Sequence, residues 1–322
     1  MERLSVIKRP LAAYAREFDA SEIAQALPFP KLIRDLSTAL SRLPAAPLRL
    51  RLHGVGQREL LVMPAMSENF AGVKILTVNP DNSSNGLPVI GGTYVLLDNQ
   101  TGIVSAMMDA GELTARRTAA LSALASSRLS RIDSETLCIL GTGHLAPYLA
   151  EAHCTVRPIR KVAIWGRDDA KMQASCIAVQ DRLPGIEVRP VDDLANAVSQ
   201  SDIVSAATRA QDPLICGDWL TPGTHVDLVG GYRPDMREID DTGIANATIY
   251  VDTLEAALSE AGDLRSPIER GIISQDNILG DIAALLSGAG RVGESQITLF
   301  KSVGSATWDL AAAELVWLAC GG

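Results

Sequence analysis

A glycine-containing turn in the middle of the chain has residue types that could bind a phosphate. Gly141-Thr-Gly143-His-Leu-Ala146 follows the apolar run Thr136–Leu140 and precedes a helical pattern. Gly141 allows a tight turn, Gly143 lets backbone amides approach a pyrophosphate, and Ala146 permits close packing of a helix on a strand. A glycine-rich turn without a ligand is the alternative, but the strand–turn–helix setting favours a dinucleotide site. The predicted cofactor-binding residues of this turn are Gly141, Thr142, Gly143, His144, Leu145 and Ala146.

The end of the next apolar run bears on which dinucleotide is bound. Lys161–Trp165 is followed by Gly166, Arg167 and two aspartates. NAD enzymes usually place a carboxylate here against the ribose 2′-hydroxyl, whereas an arginine can pair with the 2′-phosphate of NADP. We therefore predict that Arg167 binds the cofactor and that NADPH is preferred over NADH. The alternative is that Arg167 is a solvated charge and that Asp168 or Asp169 reaches the ribose.

Three cations lie among apolar residues in the rest of the chain. Arg49 follows a proline, Lys74 lies within the run Gly72–Val78, and Arg117 lies in a helical segment. A lysine flanked by valine and isoleucine is costly to bury unless it meets an anion. The alternative is that each cation extends to solvent.

The elements that must position these residues are predicted from two different sequence patterns, one before and one after about residue 115. The first part predicts an antiparallel meander, because short β-rich runs alternate with turn residues. Its predicted strands are Leu48–Val55, Glu59–Met66, Gly72–Val78, Thr93–Asp98 and Gly102–Met108. Helical spacing also predicts a helix that covers one face of this sheet, with the apolar positions Leu32, Ile33, Leu36, Leu40 and Leu43.

The second part predicts alternating strands and helices after a helix over Glu112–Ser130. Apolar, β-branched strands of this kind indicate a parallel sheet with helices on both faces. The predicted strands are Thr136–Leu140, Lys161–Trp165, Ile203–Ala207, His225–Val229, Thr248–Val251 and Gln296–Val303, and the predicted helices are Leu145–Cys154, Asp168–Arg182 and Ala306–Ala319. The fold class is therefore α/β, with a Rossmann-type parallel sheet domain and a smaller α+β domain.

Composition and charge exclude several classes of function. The chain has 322 residues and a net charge of −9, which suits two domains and disfavours nucleic acid or an anionic membrane as partner. Five scattered cysteines indicate reduced thiols in a cytoplasmic protein. We expect no secretory signal in the first residues and no membrane helix. No metal site is predicted, because metal-ligand spacing is absent around His53, His144, His153 and His225.

The order of these motifs resembles the ornithine cyclodeaminase/mu-crystallin family. The matching segments are Val62–Ala65, Gly72–Ile75, Leu113–Thr114, Arg117–Ala120, Gly141–Gly143, Gly230–Glu238, Phe300–Gly304 and Asp309–Ala312. The resemblance implies a homodimer whose Rossmann domain, residues 116–299, is inserted into a discontinuous substrate-binding and dimerisation domain, residues 1–115 and 300–322. It also implies an amino- or imino-acid substrate whose carboxylate is held by Arg49, Lys74 and Arg117. Thr118 would lie near the cofactor phosphates, and the further predicted cofactor contacts are Thr208, Gly230, Tyr232 and Val303.

One position departs from the ornithine cyclodeaminase pattern. Those enzymes carry an aspartate after the glycine pair, where it handles the substrate's amino groups, whereas this chain has Tyr232. A tyrosine supplies no anion at neutral pH. The segments His144–Leu149, Ala152-His153 and Val156–Ile159 instead resemble bacterial Δ1-pyrroline-2-carboxylate, or ketimine, reductases.

That resemblance implies hydride transfer from NADPH to C2 of Δ1-pyrroline-2-carboxylate, which forms L-proline in hydroxyproline degradation. It also implies reduction of the six-membered Δ1-piperideine-2-carboxylate to L-pipecolate. Lys74 or a bound water are the candidate proton donors to the imine nitrogen, and Tyr232 is a weaker one. Lys301 either lies beside the nicotinamide or is structural. The alternative functions are ornithine cyclodeaminase, against which Tyr232 counts, and a cofactor-loaded binding protein like mu-crystallin.

Overall fold

Two β-sheets organise the chain in the computed structural model, which describes residues 15–40, 42–85 and 87–321. Residues 15–27, 43–114 and 306–321 form one compact unit, and residues 28–42 and 115–305 form the other. The segment on which the secretory-signal prediction rests, residues 1–14, lies outside the described residues. None of the described helices has the length and apolar character that crossing a membrane requires.

The first unit contains a six-stranded sheet. Its strands are β1 (Arg16–Phe18), β2 (Leu50–His53), β3 (Glu59–Met66), β4 (Phe70–Val78), β5 (Ile90–Asp98) and β6 (Val104–Asp109). The order is β1-β6-β5-β4-β3-β2, with β1 parallel to β6 and every other pair antiparallel. The predicted antiparallel meander is therefore confirmed.

The second unit contains an eight-stranded parallel sheet. Its strands are β7 (Thr136–Leu140), β8 (Lys161–Trp165), β9 (Glu187–Pro190), β10 (Ile203–Ala206), β11 (His225–Leu228), β12 (Thr248–Val251), β13 (Ile278–Gly280) and β14 (Thr298–Lys301). The order is β13-β12-β14-β11-β10-β7-β8-β9. The chain therefore changes direction across the sheet between β7 and β10, which is where Rossmann-type sheets form their ligand crevice. The predicted α/β fold class is confirmed.

Helices accompany both sheets. They are α1 (Ala20–Ala26), α2 (Phe29–Leu40), α3 (Ala110–Leu129), α4 (Ala146–Val156), α5 (Asp169–Arg182), α6 (Leu194–Ser199), α7 (Asp241–Asn246), α8 (Leu254–Glu260), α9 (Gly262–Glu269), α10 (Ile282–Leu286) and α11 (Ala306–Ala319). Several of them begin at an aspartate whose carboxylate accepts a first-turn amide, which is a favourable N-cap. These caps include Asp19, Asp168, Asp193, Asp240 and Asp281.

One predicted packing arrangement is wrong. The helix predicted from Leu32 to Leu43 is present as α2, but it belongs to the second unit and packs against α4. The helix that covers the six-stranded sheet is α11, which contacts β3, β4 and β5. Helical spacing shows that one face of a helix is buried, but it does not identify the surface that buries it.

The unit boundaries also differ from the predicted domain ranges. Besides α2, the second unit includes β14, which pairs with β11 and β12 in the parallel sheet. The chain returns to the first unit only at Ala306, where α11 begins.

Candidate cofactor and substrate site

The predicted phosphate-binding turn joins β7 to α4, and its two glycines meet different surroundings. Gly141 donates its amide hydrogen to Trp165 O at 2.9 Å and has a φ of +113°. A Cβ at Gly141 would lie 2.8 Å from Ala207 O, whereas a Cβ at Gly143 would have no atom within 4 Å. Gly141 is therefore required by the backbone itself. At Gly143 the position of a side chain is open space.

The first turn of α4 has further properties of an anion site. Its N-cap residue, Leu145, is half-buried and makes no side-chain cap hydrogen bond. The positive end of the helix and its first-turn amides therefore keep their capacity for an anion. Ala146 is buried at the start of the helix, as its packing role requires. Thr142 is half-buried, and the exposed His144 packs its ring 5.0 Å from that of Tyr148.

The residues after β8 differ in what their side chains do. Arg167 is exposed directly beyond the strand. Asp168 caps α5, because its Oδ1 accepts the Lys171 amide at 3.0 Å. Asp169 is exposed as the first residue of α5. Arg167 is therefore a charged side chain available beside the strand end, while one of the two alternative carboxylates is engaged by its own helix.

The other predicted cofactor contacts follow the carboxyl ends of β10, β11 and β14. They are Thr208, Gly230, Tyr232 and Val303, of which Val303 is buried and the others are half-buried. Since all strands of this sheet are parallel, these residues lie at the same edge as the turn after β7. The structure thus brings together the predicted cofactor-binding residues that follow the strands of the parallel sheet.

Arg117 and Thr118 are buried on α3. A Cβ at Gly304 would lie 3.1 and 3.2 Å from the two terminal nitrogens of Arg117, so the guanidinium lies beside the segment that follows β14. Asp252 holds that segment, since its Oδ2 accepts the amides of Val303 at 3.0 Å and Gly304 at 2.7 Å. Arg117 is therefore placed by α3 against a backbone segment that a buried carboxylate fixes.

Lys74 lies in β4 on the side of the sheet that α11 covers, and its side chain is 1% exposed. Its Nζ is 2.7 Å from Oδ2 of the fully buried Asp309 on α11. Tyr94 stands opposite Lys74 in β5, and burial, together with the charges of Asp309 and Glu314, raises the pKa of this tyrosine well above its ordinary value. The anion that burial of Lys74 requires is thus present within the chain.

Arg49, the third predicted substrate residue, is half-buried and immediately precedes β2. In the sheet, β2 lies two strands away from the β4 that carries Lys74. Arg49 and Lys74 belong to the first unit, whereas Arg117 belongs to the second.

Several other titratable groups of the second unit are buried. Burial raises the pKa of the Cys138 and Cys154 thiols to about 12, and all five cysteines are free. His153 contacts Asp227 at 3.3 Å inside the unit, and both side chains are fully buried. Within the described ranges, no three histidine, cysteine or acidic side chains come together in a way that could hold a metal ion.

Several carboxylates at these sites were not identified as functional candidates by sequence analysis. Glu238 and Asp309 stood inside segments that carried the family resemblance, but their types alone did not indicate what they hold. Asp252 follows β12 and Asp263 lies in the first turn of α9, and no local sequence pattern distinguishes either residue. Each acts on residues distant in the chain, so a folded structure was needed to find them.

Comparison with known proteins agrees with this architecture. The model of the ornithine cyclodeaminase/mu-crystallin family matches residues 20–319. The chain belongs to this family. A family relative, the Δ1-pyrroline-2-carboxylate reductase of Paracoccus denitrificans, is 38% identical over 292 residues, which are 88% of this chain and 91% of the relative.

Two solved structures match most of the chain. The Δ1-pyrroline-2-carboxylate reductase of Thermococcus litoralis, in complex with NADH and L-proline, matches with a TM-score of 0.90 and 30% identity over 95% of this chain and 97% of that one. An archaeal alanine dehydrogenase dimer with bound NAD matches with a TM-score of 0.87 and 26% identity, covering 95% of this chain and 96% of that one.

Proposed function

We propose that this chain reduces Δ1-pyrroline-2-carboxylate to L-proline with a nicotinamide dinucleotide. The observation that carries the proposal is the 38% identity to a Δ1-pyrroline-2-carboxylate reductase across 91% of that enzyme. Tyr232, at the position where ornithine cyclodeaminases carry an aspartate, supports a substrate that is already cyclic and needs no deamination. The free cysteines suit a reducing compartment, and we infer that the enzyme is cytoplasmic.

The second unit has residues that fit the cofactor. The open space beside Gly143 and the first turn of α4 suit a pyrophosphate, and Thr118 is the further candidate for its phosphates. The segments that contain Thr208, Gly230, Tyr232 and Val303 would hold the other half. When bound, the reduced nicotinamide supplies a hydride to the C=N carbon.

We infer that NADPH is the preferred form of the cofactor. Arg167 is exposed at the end of β8, where a guanidinium can pair with a 2′-phosphate, and Asp168 is engaged as a helix cap. Measured kcat/KM should favour NADPH over NADH by about tenfold or more. Arg167→Ser should lower kcat/KM for NADPH and leave that for NADH nearly unchanged. A wild-type preference for NADH would overturn this inference.

The chain's own residues would bind and protonate the substrate. Arg49, Lys74 and Arg117 would hold the carboxylate through charge-assisted hydrogen bonds and so fix C2 for hydride transfer. The imine nitrogen must gain a proton to become a secondary amine. The Lys74 ammonium is an N–H donor held 2.7 Å from Asp309 Oδ2, so Lys74 is our candidate to donate that proton.

A second copy of the chain is the partner that the first unit supports. The face of its sheet opposite α11 exposes large apolar side chains, which are Leu50, Leu52, Met66, Ile75 and Met107. Large exposed apolar side chains gathered on one face are typical of a protein–protein interface. The related alanine dehydrogenase is a dimer. We infer that this enzyme forms a homodimer through that face, which we call the outer face.

The activity is tested directly with purified protein. Mixing it with NADPH and Δ1-pyrroline-2-carboxylate should consume the nicotinamide absorbance and yield L-proline in equal amount. The six-membered imine, assayed in parallel, determines the ring-size preference. Proline and ammonia from L-ornithine, without imine reduction, would instead identify a cyclodeaminase. Cofactor binding without any turnover would favour a binding protein.

Arg49 provides the mildest test of the substrate contacts because it is half-buried and lies at a strand end. Arg49→Met should raise the KM for the imine by about tenfold or more, since a charge-assisted hydrogen bond contributes about 1.5–3 kcal/mol. The matched control is Arg58→Met, which removes an exposed arginine that pairs with Asp81. Equal kinetics for the two variants would remove Arg49 from the site.

A further inference from the structure

Glu238 is a fully buried carboxylate that joins two loops at the cofactor edge of the parallel sheet. Its Oε1 accepts the amide of Thr208 at 2.7 Å and the hydroxyl of Thr208 at 2.8 Å. Its Oε2 accepts the amides of Gly230 at 2.8 Å and Gly231 at 3.2 Å. One side chain therefore fixes the segment after β10 to the segment after β11.

A second pair of charges holds Glu238 in place. Asp263 Oδ1 accepts the Glu238 amide at 2.6 Å, and Asp263 Oδ2 lies 2.9 Å from Lys301 Nζ. Lys301 Nζ is also 3.7 Å from Glu238 Oε2, and all three side chains are 0% exposed. Since Lys301 ends β14, the cluster of Glu238, Asp263 and Lys301 connects the carboxyl ends of three neighbouring strands. Lys301 is therefore a buried residue that is ion-paired with Asp263.

The glycine pair allows this close approach. A Cβ at Gly230 would overlap the backbone of Thr208, and a Cβ at Gly231 would lie 2.6 Å from Asp263 Oδ2. Neither glycine has the positive φ that would make glycine necessary for conformational reasons. Both glycines are therefore explained by the space that the cluster needs.

The position of the cluster relates it to one half of the cofactor. The turn after β7 and Arg167 after β8 lie on one side of the point where the strand order reverses, and β10, β11 and β14 lie on the other. A dinucleotide bound across such a crevice places its two halves on the two sides. If Arg167 meets the adenosine half, the loops that Glu238 joins meet the nicotinamide half.

We propose that Glu238 is a positioning residue for the nicotinamide half of the cofactor, because it holds the loops of Thr208 and Gly230–Gly231 in one fixed arrangement before the cofactor binds. This proposal rests on one part of the proposed function, which is that the chain binds a nicotinamide dinucleotide. Asp263 and Lys301 act through Glu238. The residue itself touches neither cofactor nor substrate.

Burial raises the pKa of Glu238 to about 7, with Asp263 acting in the same direction and Lys301 in the opposite one. The four groups that hydrogen-bond to the Glu238 carboxylate are all donors. The ionised carboxylate can accept from all four, whereas the O–H of a protonated one would displace a donor. An amide in its place presents one oxygen and one NH2 group. Glu238→Gln therefore breaks one side of the connection and leaves the side-chain volume unchanged.

The test compares Glu238→Gln with a matched carboxylate at the opposite edge of the same sheet. Asp202 Oδ2 accepts the amides of Glu135 and Thr136 at 2.8 and 2.9 Å and the hydroxyl of Thr136 at 2.7 Å, just before β10 and β7. Its other oxygen, Oδ1, pairs with Arg131. Asp202→Asn keeps one oxygen for the three donors and removes this ion pair, so it perturbs a carboxylate connection far from the carboxyl ends of the strands. Both variants should lower the Tm of the cofactor-free protein.

Only Glu238→Gln should change cofactor binding. We expect the Kd for NADPH, measured by fluorescence titration without substrate, to rise about tenfold or more, and kcat to fall by a similar factor. Asp202→Asn should keep both within about twofold. Glu238→Asp, which keeps the charge but moves the carboxylate back by one methylene, should give an intermediate Kd and replaces Glu238→Gln if that variant does not fold.

An unchanged Kd and kcat in folded Glu238→Gln or Glu238→Asp would overturn the proposal and leave Glu238 a purely stabilising residue. An equal rise of Kd in Asp202→Asn would do the same, since the effect would then be one of general stability. If the wild type binds NADPH but reduces no imine, the proposed reaction fails while the Kd comparison still decides the role of Glu238.

Discussion

His225 is a fully buried imidazole whose protonation follows from its partners. Its Nδ1 lies 3.0 Å from Thr298 Oγ1, and that hydroxyl donates to Leu129 O at 2.8 Å. Thr298 therefore accepts from His225, and the ring is neutral with its hydrogen on Nδ1. Burial lowers the pKa of His225 to about 3, with His153, Arg291 and Arg157 adding to the effect and Asp227 opposing it.

This histidine should make the protein less stable in acid. In the unfolded chain His225 binds a proton below about pH 6.5, whereas in the folded chain it does so only below about pH 3. The free energy of unfolding therefore falls as the pH decreases through that interval. Between pH 6.5 and pH 5 the loss from this one group is about 2 kcal/mol. Urea unfolding at pH 7.5 and 5.0 should show a smaller pH dependence in His225→Asn than in the wild type. Identical pH dependence would contradict the assignment.

Lys74 requires a test that separates its structural from its chemical role. Lys74→Met alone removes the cation 2.7 Å from the buried carboxylate of Asp309 and should cost about 3–5 kcal/mol of stability. The double variant Lys74→Met/Asp309→Leu should recover most of that stability, because it replaces both members of this buried ion pair with apolar side chains. It should nevertheless have no imine reductase activity. A stable double variant with wild-type turnover would exclude Lys74 from catalysis.

The same two residues show how far the sequence alone could lead. A lysine inside an apolar strand left two alternatives, burial against an anion or extension to solvent, and Lys74 is buried beside an anion. The nature of that anion could not be predicted, because Asp309 lies on a helix near the other end of the chain. Residue type and flanking residues report burial, whereas the partner depends on which elements pack together.

At the scale of elements, the turn between β7 and α4 distinguishes a glycine needed for folding from one needed for binding. Gly141→Ala should destabilise the cofactor-free protein by about 1–3 kcal/mol, since it combines a positive φ with a contact to Ala207 O. Gly143→Ala should leave stability nearly unchanged, because its Cβ meets no atom. Its Kd for NADPH should rise about tenfold, a loss of about 1.4 kcal/mol. Urea unfolding and cofactor titration of both variants check this contrast, and wild-type affinity in Gly143→Ala would contradict it.

Elements with a continuous apolar pattern could be predicted from the sequence, and short edge elements could not. Thr136–Leu140, Lys161–Trp165 and Thr248–Val251 have the predicted bounds. Nothing in the sequence marked β9 or β13, because each is only three or four residues long and forms at an edge of the sheet. The insertion of β14 between β11 and β12 depends on strand pairing across distant parts of the chain, on which local patterns carry no information.

At the scale of the whole molecule, five exposed apolar side chains of the first unit, those that define the outer face, lie on the same side of its sheet. Residues opposite each other in neighbouring antiparallel strands share a face, and Leu50 pairs with Val62, which pairs with Ile75. Met107 is on that face too, because it pairs with Val95 of β5, which in turn pairs with Val73 of β4. The opposite face is buried beneath α11. The strand pattern could predict an alternation of faces, but not that both faces of this sheet would be apolar.

If the outer face is the dimer interface, charges placed at its centre should separate the copies. Ile75 and Met107 are 36% and 38% exposed, so Ile75→Glu/Met107→Glu changes the surface without opening the core. Each dimer would then bury four unpaired carboxylates, and burial of an unpaired charge costs several kcal/mol. Light scattering after size-exclusion chromatography should show a dimer for the wild type and a monomer for the double variant. Ile177→Glu, at a 63% exposed apolar residue of α5, should remain a dimer. A monomeric wild type, or a dimeric double variant, would show that the outer face is not where the copies meet.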